Sequence, residues 1–379
     1  MEKKEKAPVL RFKDTNGKDY PAWEQRKLED CATIIMGQSP KSENYTNDPK
    51  DHILVQGNAD LKNGQVAPRV WTTEVTKIGK VGDIILSVRA PVGEVGKTAY
   101  DVVLGRGVAA IRGNDFLLQT LLKLKECKYW GKVSAGSTFD SITSEILKST
   151  LISMPAIEEQ IKIGDFLSSV DKLITLHQRK LEALKKLKRT LLQKMFPKKG
   201  HLKPELRFFG FTNDWEQRKL NEIASIYDGT HQTPRYTSNG IPFLSVENIT
   251  TLQSSKFISE KDFLRDFPVY PKKGDVLLTR IGDVGTANVY ERNQKVAFYV
   301  SLALLKLRET DPYFVNASFR SNSTRKEVWK RTLHIAFPKK INKNEIGKVN
   351  IQIPSLAEQR KIGIFFYSLD RLITLHQRE

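Results

Sequence analysis

The sequence has few cysteines and no long hydrophobic run. Two cysteines among 379 residues, Cys31 and Cys127, are too few for a disulfide framework or a four-thiolate zinc site, so we expect a reducing compartment. The apolar runs are far shorter than the roughly 20 residues that a membrane helix needs. No apolar segment follows the lysines of residues 1–6, which argues against a secretory signal. Together these absences predict a cytoplasmic protein.

Acidic residues are scarce relative to basic ones. The chain has 62 Lys and Arg against 43 Asp and Glu, which leaves a formal charge of +19. Such an excess favours a polyanionic partner, most often nucleic acid. With 39% hydrophobic residues the chain can bury a sizeable core, and its length predicts two or three domains.

Internal repetition organises the chain. The WEQRKL motif of residues 23–28 recurs letter for letter at residues 215–220, and PVLRF at residues 8–12 recurs as PELRF at residues 204–208. Because repeats decide architecture, two similar globules are expected.

A longer repeated block closes each globule. Residues 154–179 align without a gap on residues 353–378, and 16 of the 26 positions are identical. Between the matching blocks the copies agree poorly, apart from a β-branched run and a Gly-acid-Val-Gly turn that start at Gly82 and Gly274. This pattern indicates a buried strand and a tight turn in each copy. For the first copy we predict strands near residues 53–56, 83–88 and 107–112, and helices near residues 115–126 and 143–148.

A long helix follows the first globule. Apolar residues recur in steps of three and four from Ile163 to Met195, which is the spacing of a coiled-coil seam. The predicted helix from Glu158 to Phe196 would be about 58 Å long at about 1.5 Å per residue. The second copy begins the same helix and reaches Glu379, about half that length. Each apolar stripe must be buried, so we predict that the two helices pair antiparallel.

The predicted fold is α+β, with two mixed α/β domains in tandem repeat and long helices that pair as an antiparallel coiled coil. The predicted segments are residues 1–157 (first domain), 158–200 (helical linker), 201–356 (second domain) and 357–379 (second helix).

These motifs resemble the specificity (S) subunit of type I restriction-modification systems. The resemblance rests on PxLRF, WEQRKL, the strand and turn GDIILSVRAPVGEVG, and the repeated closing motif MPAIEEQ at Met154–Gln160 and Ile353–Gln359, and it covers almost the whole chain. It implies that the two domains are target recognition domains, each binding one half of a split DNA sequence, and that the coiled coil fixes the gap. The family usually continues the second helix, so here that helix is either short or truncated.

The resemblance also implies partners for a non-catalytic chain. Methyltransferase (M) subunits, two in number, would transfer a methyl group from S-adenosylmethionine to adenine N6, and restriction (R) subunits would use ATP and Mg to translocate and cut double-stranded DNA. No cofactor is expected in this chain itself.

The residues agree that catalysis is absent. Near Gly96-Lys97-Thr98, Pro91 stands where a phosphate-binding loop needs its first glycine. His177 and His376 lack Cys or acidic neighbours at ligand spacing, so packed histidines are favoured over a metal site. Two alternatives remain: a stand-alone bivalent DNA-binding regulator, and an enzyme with its own, unrecognised catalytic motif.

Base-reading residues should lie in glycine-rich loops that differ between the copies, because base contacts specify sequence while phosphate contacts position the protein. The alternative for each loop is a merely solvated surface. The candidates in the first domain are Gln38, Ser39, Lys41, Tyr45, Arg69, Arg89, Ser137 and Thr138; those in the second are Thr230, His231, Gln232, Arg235, Tyr236, Arg280, Lys339 and Lys340.

Polar residues of the closing motif are candidates for a protein contact. Packing alone would not require them, so we predict that an outer face near Glu158, Gln160, Glu358 and Gln359 binds the M subunit. Residues 161–208 hold 13 Lys or Arg against four Asp or Glu. That charge would contact the phosphates of the spacer DNA, be neutralised by a partner, or simply be solvated.

Overall fold

The computed structural model describes residues 8–134 and 141–378, and the chain divides into unit 1 (Met1–Thr175) and unit 2 (Leu176–Glu379). The strands of unit 1 are β1 (Glu24–Lys27), β2 (Thr33–Met36), β3 (Tyr45–Thr46), β4 (His52–Val55), β5 (Leu61–Lys62), β6 (Gln65–Val66), β7 (Val70–Thr72), β8 (Ile78–Gly79), β9 (Ile84–Ser87), β10 (Val95–Lys97), β11 (Val102–Leu104), β12 (Val108–Arg112) and β13 (Leu151–Met154). Its helices are α1 (Leu28–Cys31), α2 (Asp115–Glu126), α3 (Tyr129–Ser134), α4 (Ser144–Ser149) and the start of α5 (Ile157–Lys194).

Two sheets form the body of unit 1. The main sheet has the strand order β2-β12-β9-β10-β6-β5, and the second sheet has the order β3-β7-β4-β11-β8. Strand β9 lies between two antiparallel neighbours, β12 and β10. In the second sheet β4 and β11 run parallel.

The apolar run of β9 is explained by burial on both faces. Alternate residues of a strand point to opposite sides. Ile84 and Leu86 pack in a core with residues of α2, α3 and α4, whereas Ile85 packs in a core with Val55 and Leu104 of the second sheet. A strand covered on both sides is apolar throughout instead of alternating. The main sheet is therefore sandwiched between helices and the second sheet.

Unit 2 repeats this plan. Its strands are β14 (Glu216–Lys219), β15 (Ala224–Asp228), β16 (Tyr236–Thr237), β17 (Ile241–Leu244), β18 (Phe257–Ile258), β19 (Val276–Thr279), β20 (Ala287–Val289), β21 (Ala297–Phe298), β22 (Leu302–Leu307) and β23 (Asn350–Ile353). Its helices are the end of α5, α6 (Leu220–Ile223), α7 (Glu260–Asp266), α8 (Pro312–Arg320), α9 (Asn322–Arg331), α10 (Lys343–Gly347) and α11 (Leu356–Arg378). The main sheet has the order β15-β22-β19-β20, which matches β2-β12-β9-β10 of unit 1.

The repeated WEQRKL motif closes each globule. In unit 1, β1 pairs antiparallel with β13 so that Glu24 faces Met154, and in unit 2, β14 pairs with β23 so that Glu216 faces Ile353. The leucine that ends each motif, Leu28 or Leu220, is fully buried. Each repeated strand therefore joins the start of a globule to its end.

The end of α5 and α11 pair antiparallel within unit 2. The rings of His177 and His376 lie 6.0 Å apart, and those of Phe196 and Phe366 also lie 6.0 Å apart, so one helix advances as the other returns. Between these contacts Lys188 pairs with Asp370. Burial lowers the pKa of Lys188, the charge of Arg320 lowers it further, and the Asp370 carboxylate only partly opposes this.

The predicted elements of the first globule are confirmed by β4, β9, β12, α2 and α4, and the predicted long helix is confirmed by α5. Helix α5 has 38 residues and α11 has 23, close to the expected ratio. The chain divides inside α5, within the segment predicted as the helical linker, residues 158–200. The first turns of α5 pack on unit 1 through Ile163, which places them with that globule.

Candidate nucleic-acid interface

Each closing motif holds a buried ion pair to the opening motif of its own globule. Arg11 of PVLRF donates to the Glu159 carboxylate at 3.0 and 2.7 Å, and Arg207 of PELRF donates to Glu358 at 2.7 Å from both Nε and Nη2. Glu159 and Glu358 are fully buried. The hydrogen bonds that Arg207 donates to Glu358 raise the pKa of the Arg207 guanidinium. These repeated ion pairs join the first and last segments of each globule, which lie about 150 residues apart in the sequence.

The glutamine that follows each of these glutamates also forms hydrogen bonds within its own unit. Gln160 accepts from Asn114 Nδ2 at 2.9 Å, and Gln359 accepts from the backbone amide of Asp311 at 3.0 Å. Each glutamine also donates to the carbonyl of the proline in its motif at 2.8 Å. Asn114 and Asp311 are the N-caps of α2 and α8, so each glutamine positions a helix start.

These contacts correct the prediction of an outer docking face. Gln160, Glu358 and Gln359 are buried and bonded within their own units, because the ion pair and the caps need them there. Glu158 alone of the four is exposed. A role for Glu158 in binding the M subunit stays a prediction.

Strand register gathers several DNA-contact candidates of unit 1 at one end of the main sheet. Met36, Ala109 and Leu86 lie side by side on β2, β12 and β9, so the residues that follow β2 and β9 leave the sheet at the same end. Gln38 and Ser39 leave after β2, and Arg89 leaves just beyond β9. We call this end of each main sheet the recognition end.

The loop after β2 is held against the β11–β12 turn. Gly37 allows this approach, because a Cβ there would lie 2.1 Å from the carbonyl oxygen of Gly105. Ser39 Oγ accepts from the backbone amide of Arg106 at 3.0 Å. Arg106 is exposed at the recognition end, and the sequence prediction missed it. The signal was available, since an arginine between Gly105 and Gly107 is typical of a tight, exposed turn.

The remaining candidates of unit 1 lie on the second sheet or near it. Lys41 is exposed. Tyr45 is half-buried on β3, where its backbone lies opposite that of Thr72 on β7. Arg69 donates to the buried Asp60 at 3.0 Å, so part of its hydrogen-bonding capacity is already used. Ser137 and Thr138 lie outside the described residues.

The loop after β15 is the counterpart in unit 2. Gly229 replaces Gly37, since a Cβ there would lie 2.3 Å from the carbonyl oxygen of Phe298. The loop is exposed except at Thr230 and Pro234, which are half-buried. It contains the candidates Thr230, His231, Gln232, Arg235 and Tyr236. Thr230 forms a backbone bridge to Tyr299, which directly follows β21.

Arg280 is placed differently from its prediction. It occupies the position of Val88 in unit 1, and like Val88 it is buried. Its guanidinium pairs with Asp228 and donates to the carbonyl of Ile341 at 3.2 Å. A buried arginine with these partners is structural, so the prediction that Arg280 contacts DNA is wrong.

Lys339 and Lys340 are exposed beside the recognition end of unit 2. Lys340 forms backbone bridges to Ile281 and Leu333, and the carbonyl of Lys339 accepts from the amide of Gly282 at 2.8 Å. The ammonium of Lys339 lies 5.0 Å from the centre of the Trp329 ring. The backbone of both lysines is therefore held by hydrogen bonds to neighbouring segments of unit 2.

Within residues 8–134 and 141–378 there is no cluster of three or more His, Cys, Asp or Glu side chains suited to a metal ion. No helix in that same part of the chain is both long enough and apolar enough to span a bilayer.

Comparison with known proteins supplies the family. The family model described as type I restriction modification DNA specificity domain matches twice, over residues 21–186 and 212–379. The MjaX type I restriction enzyme specificity subunit of Methanocaldococcus jannaschii is 33% identical over 190 residues, which are 48% of this chain and 44% of that protein. The MjaVIII subunit of the same organism is 24% identical over 398 aligned positions, covering 97% and 91% of the two chains.

A solved structure shows the same fold. The S subunit of a type I restriction-modification system from M. genitalium has a TM-score of 0.62 at 16% identity, and the match covers 94% of this chain and 91% of that chain. The chain spans less than half of MjaX but almost the whole of MjaVIII and of the solved subunit. The two family matches together include most residues of both units. The chain therefore belongs to the type I restriction modification DNA specificity family, and its role is DNA sequence recognition.

Proposed function

We propose that this chain reads a bipartite DNA target, one half with each unit, at a spacing set by α5. It directs adenine-N6 methylation and restriction that partner subunits carry out. The chain itself contributes recognition and no catalysis.

The observation that carries the proposal is the pair of recognition ends. Each lies at the same end of an equivalent main sheet, after β2 in unit 1 and after β15 in unit 2. The framework letters are repeated, but the exposed loops differ: Gly37 is followed by Gln-Ser-Pro-Lys and Gly229 by Thr-His-Gln-Thr. Equal frameworks with unequal exposed polar residues suit two readers of different sequences.

Reading the target as two short half-sites with one chain has a physical advantage. Each base contact discriminates by only about 1–3 kcal/mol, and genomic DNA offers a large excess of competing sites. When both readers are on one chain, the second contact becomes intramolecular, so both half-sites must match at one spacing. The formal charge of +19 supports association with the phosphate backbone.

Because this chain would supply only recognition, partner subunits would supply the chemistry. Two M subunits would supply the S-adenosylmethionine site, and R subunits would use ATP and Mg. The exposed Glu158 at the start of α5 is one proposed contact for the M subunit. The assembly would act in the cytoplasm, where the genomic DNA lies.

Modification-sensitive sequencing of host genomic DNA, with the gene intact and deleted, tests the proposal. Loss of N6-methyladenine from one split motif on deletion is the expected result, and it would reveal both half-sites. Unchanged methylation, combined with tight sequence-specific binding by the chain alone, would favour the stand-alone regulator instead.

A further inference from the structure

Unit 2 carries a short hairpin beside its recognition end. Leu333 and Lys340 form an antiparallel bridge, and the amide of Leu333 donates to the carbonyl of Lys340 at 2.7 Å. The hairpin follows α9 directly and leads into the fully buried Ile341. Six residues, 334–339, form the loop between the bridge residues.

The tip of this hairpin is apolar and fully exposed. Ile335 and Phe337 have relative exposures of 100% and 104%, so neither packs against the protein. Scattered exposed apolar residues are ordinary, but two of them on one tip with no internal contact are more typical of a binding element.

The base of the hairpin is fixed, in contrast to its tip. The amide of Ile341 donates to the carbonyl of Arg280 at 2.9 Å, and the amide of Gly282 donates to the carbonyl of Lys339. His334 lies against Trp329, with ring centres 4.0 Å apart. The tip is therefore presented from a rigid support, at the end of β19 where the recognition end lies.

The cations next to the tip are Lys339 and Lys340. The other basic residues of this segment are engaged elsewhere: Lys330 and Arg331 pair with Glu327, and Lys343 lies 4.0 Å from Asp228. Lys339 and Lys340 follow the tip directly and are exposed. A narrow apolar tip next to cations suits a polyanion whose interior is apolar, which describes the stacked bases of DNA behind their phosphates.

We infer that Ile335 and Phe337 form a wedge that contacts the bases of bound DNA, inserting at a base step while Lys339 and Lys340 bind the flanking phosphates. This inference rests on the proposed function and adds a shape-reading element to unit 2. A wedge of this kind unstacks a step, and the cost depends on the sequence of that step, so the hairpin would add specificity without hydrogen bonds to bases.

A protein partner is the less favoured occupant. A stable protein interface needs about 800 Å² from each partner, which a convex tip of two apolar side chains does not supply. The neighbouring cations and the adjoining recognition end favour DNA.

The test uses duplexes that carry the methylated motif found by sequencing, with 2-aminopurine placed at successive positions of each half-site. The full-length chain, with any subunit that co-purifies, is compared with Phe337→Ala and Ile335→Ala. The matched control is Phe209→Ala, because Phe209 is a phenylalanine of unit 2 with 101% exposure outside the hairpin.

Wild type should raise 2-aminopurine fluorescence at one step, and both hairpin variants should abolish that rise. They should also weaken binding by about 5- to 100-fold, the range expected for loss of one stacked contact. The control should do neither, and no variant should shift the thermal midpoint, since the side chains make no internal contacts.

Three results would overturn the inference. Normal binding and no fluorescence rise with wild type would leave the proposed function standing and remove the wedge. Unchanged DNA binding by Phe337→Ala, with loss of a co-purifying subunit, would make the hairpin a protein contact. Failure of wild type to bind the motif at all would overturn the proposed function together with the wedge.

Discussion

The two units keep one internal framework and differ where they are exposed. Arg11 and Glu159 in unit 1 repeat as Arg207 and Glu358 in unit 2. By contrast, the exposed Arg89 of unit 1 aligns with Ile281 of unit 2, and the buried Val88 aligns with Arg280. Repetition therefore marks residues with internal partners, whereas the exposed loops, which we propose read the two half-sites, differ between the units.

The largest expected effect comes from separating the two units along α5. Seven residues inserted between Thr175 and Leu176 would add about 10.5 Å, or about three base pairs, and keep the seam in phase. We expect complete loss of methylation at the original motif and a new motif with the same half-sites and a longer spacer. Methylation mapping checks this.

A five-residue insertion at the same place is the control for that experiment. It rotates the seam by about 140°, and so should abolish modification at every spacing. A seven-residue variant that still methylates the original motif would contradict the assignment of the spacer to α5.

The next largest effect should come from breaking one buried ion pair in unit 2. Arg207→Ala leaves the buried Glu358 without its charge partner, so the free energy of unfolding should fall by about 3–5 kcal/mol. The loss of unfolding free energy in Arg11→Ala should be smaller than that in Arg207→Ala by at least about 1.5 kcal/mol, because Trp23 Nε1 still donates to Glu159 at 3.2 Å. Urea denaturation of the full chain measures both.

Arg218→Ala is the matched control for Arg207→Ala. Its pair with Glu222 spans 3.6 Å and is nearly half exposed on both sides, so its removal should cost no more than about 1 kcal/mol. Equal losses in Arg207→Ala and Arg11→Ala would show that Trp23 does not support Glu159.

A third variant tests the close crossing of α11 and α8. A Cβ at Gly363 would lie 2.3 Å from Asp311 Oδ1 and 2.8 Å from the amide nitrogen of Phe314. Gly363→Ala should therefore lower the free energy of unfolding by about 1–3 kcal/mol, despite the higher helix propensity of alanine. Gly164→Ala, where a Cβ would lie 2.7 Å from the Phe116 nitrogen, should behave alike.

Gly131→Ala is the control for both glycine variants. Gly131 lies in α3 and an added Cβ would meet nothing within 4 Å, so alanine should leave stability unchanged or raise it slightly. Equal stability of all three alanine variants would show that α5 and α11 do not need glycine at their crossings.

The smallest effect is a pH-dependent difference between the two helix caps. Burial raises the pKa of Asp311, and hydrogen bonds from the Phe314 and Tyr313 amides only partly oppose this. An acid whose folded pKa is raised loses stability as the pH rises through that pKa. Asp311→Asn, which copies Asn114 of unit 1, keeps a capping side chain and removes this loss.

The thermal midpoint of Asp311→Asn should accordingly exceed that of wild type at pH 7. The difference should disappear below pH 3.8, the ordinary aspartate value, where both side chains are neutral. A constant difference across this range would mean that the benefit is not electrostatic.

Much of the fold followed from the sequence, because repeats and apolar periodicity are local signals. The buried strand that begins at Ile84 and the long helix α5 were both visible in this way. Internal roles for Gln160 and Gln359 were not visible, since their partners are distant in sequence. Arg280 was misassigned for the same reason, because Asp228 is 52 residues away.

Two segments of identical sequence also lie in different environments. The LITLHQR segment occurs in both helices, yet Ile174 is 50% exposed and its counterpart Ile373 only 9%. Ile373 lies on α11, against which the end of α5 packs, so burial there depends on a partner helix that the motif itself does not specify.

Exchange of the non-repeated part of unit 2 tests the central claim most directly. Residues 221–349 are replaced by the equivalent segment of a related subunit, the repeated framework is kept, and the methylated motif is mapped in the host. We predict that one half-site changes while the other half-site and the spacer stay the same. A change in both half-sites, or in neither, would contradict the claim that each unit reads its own half of the target.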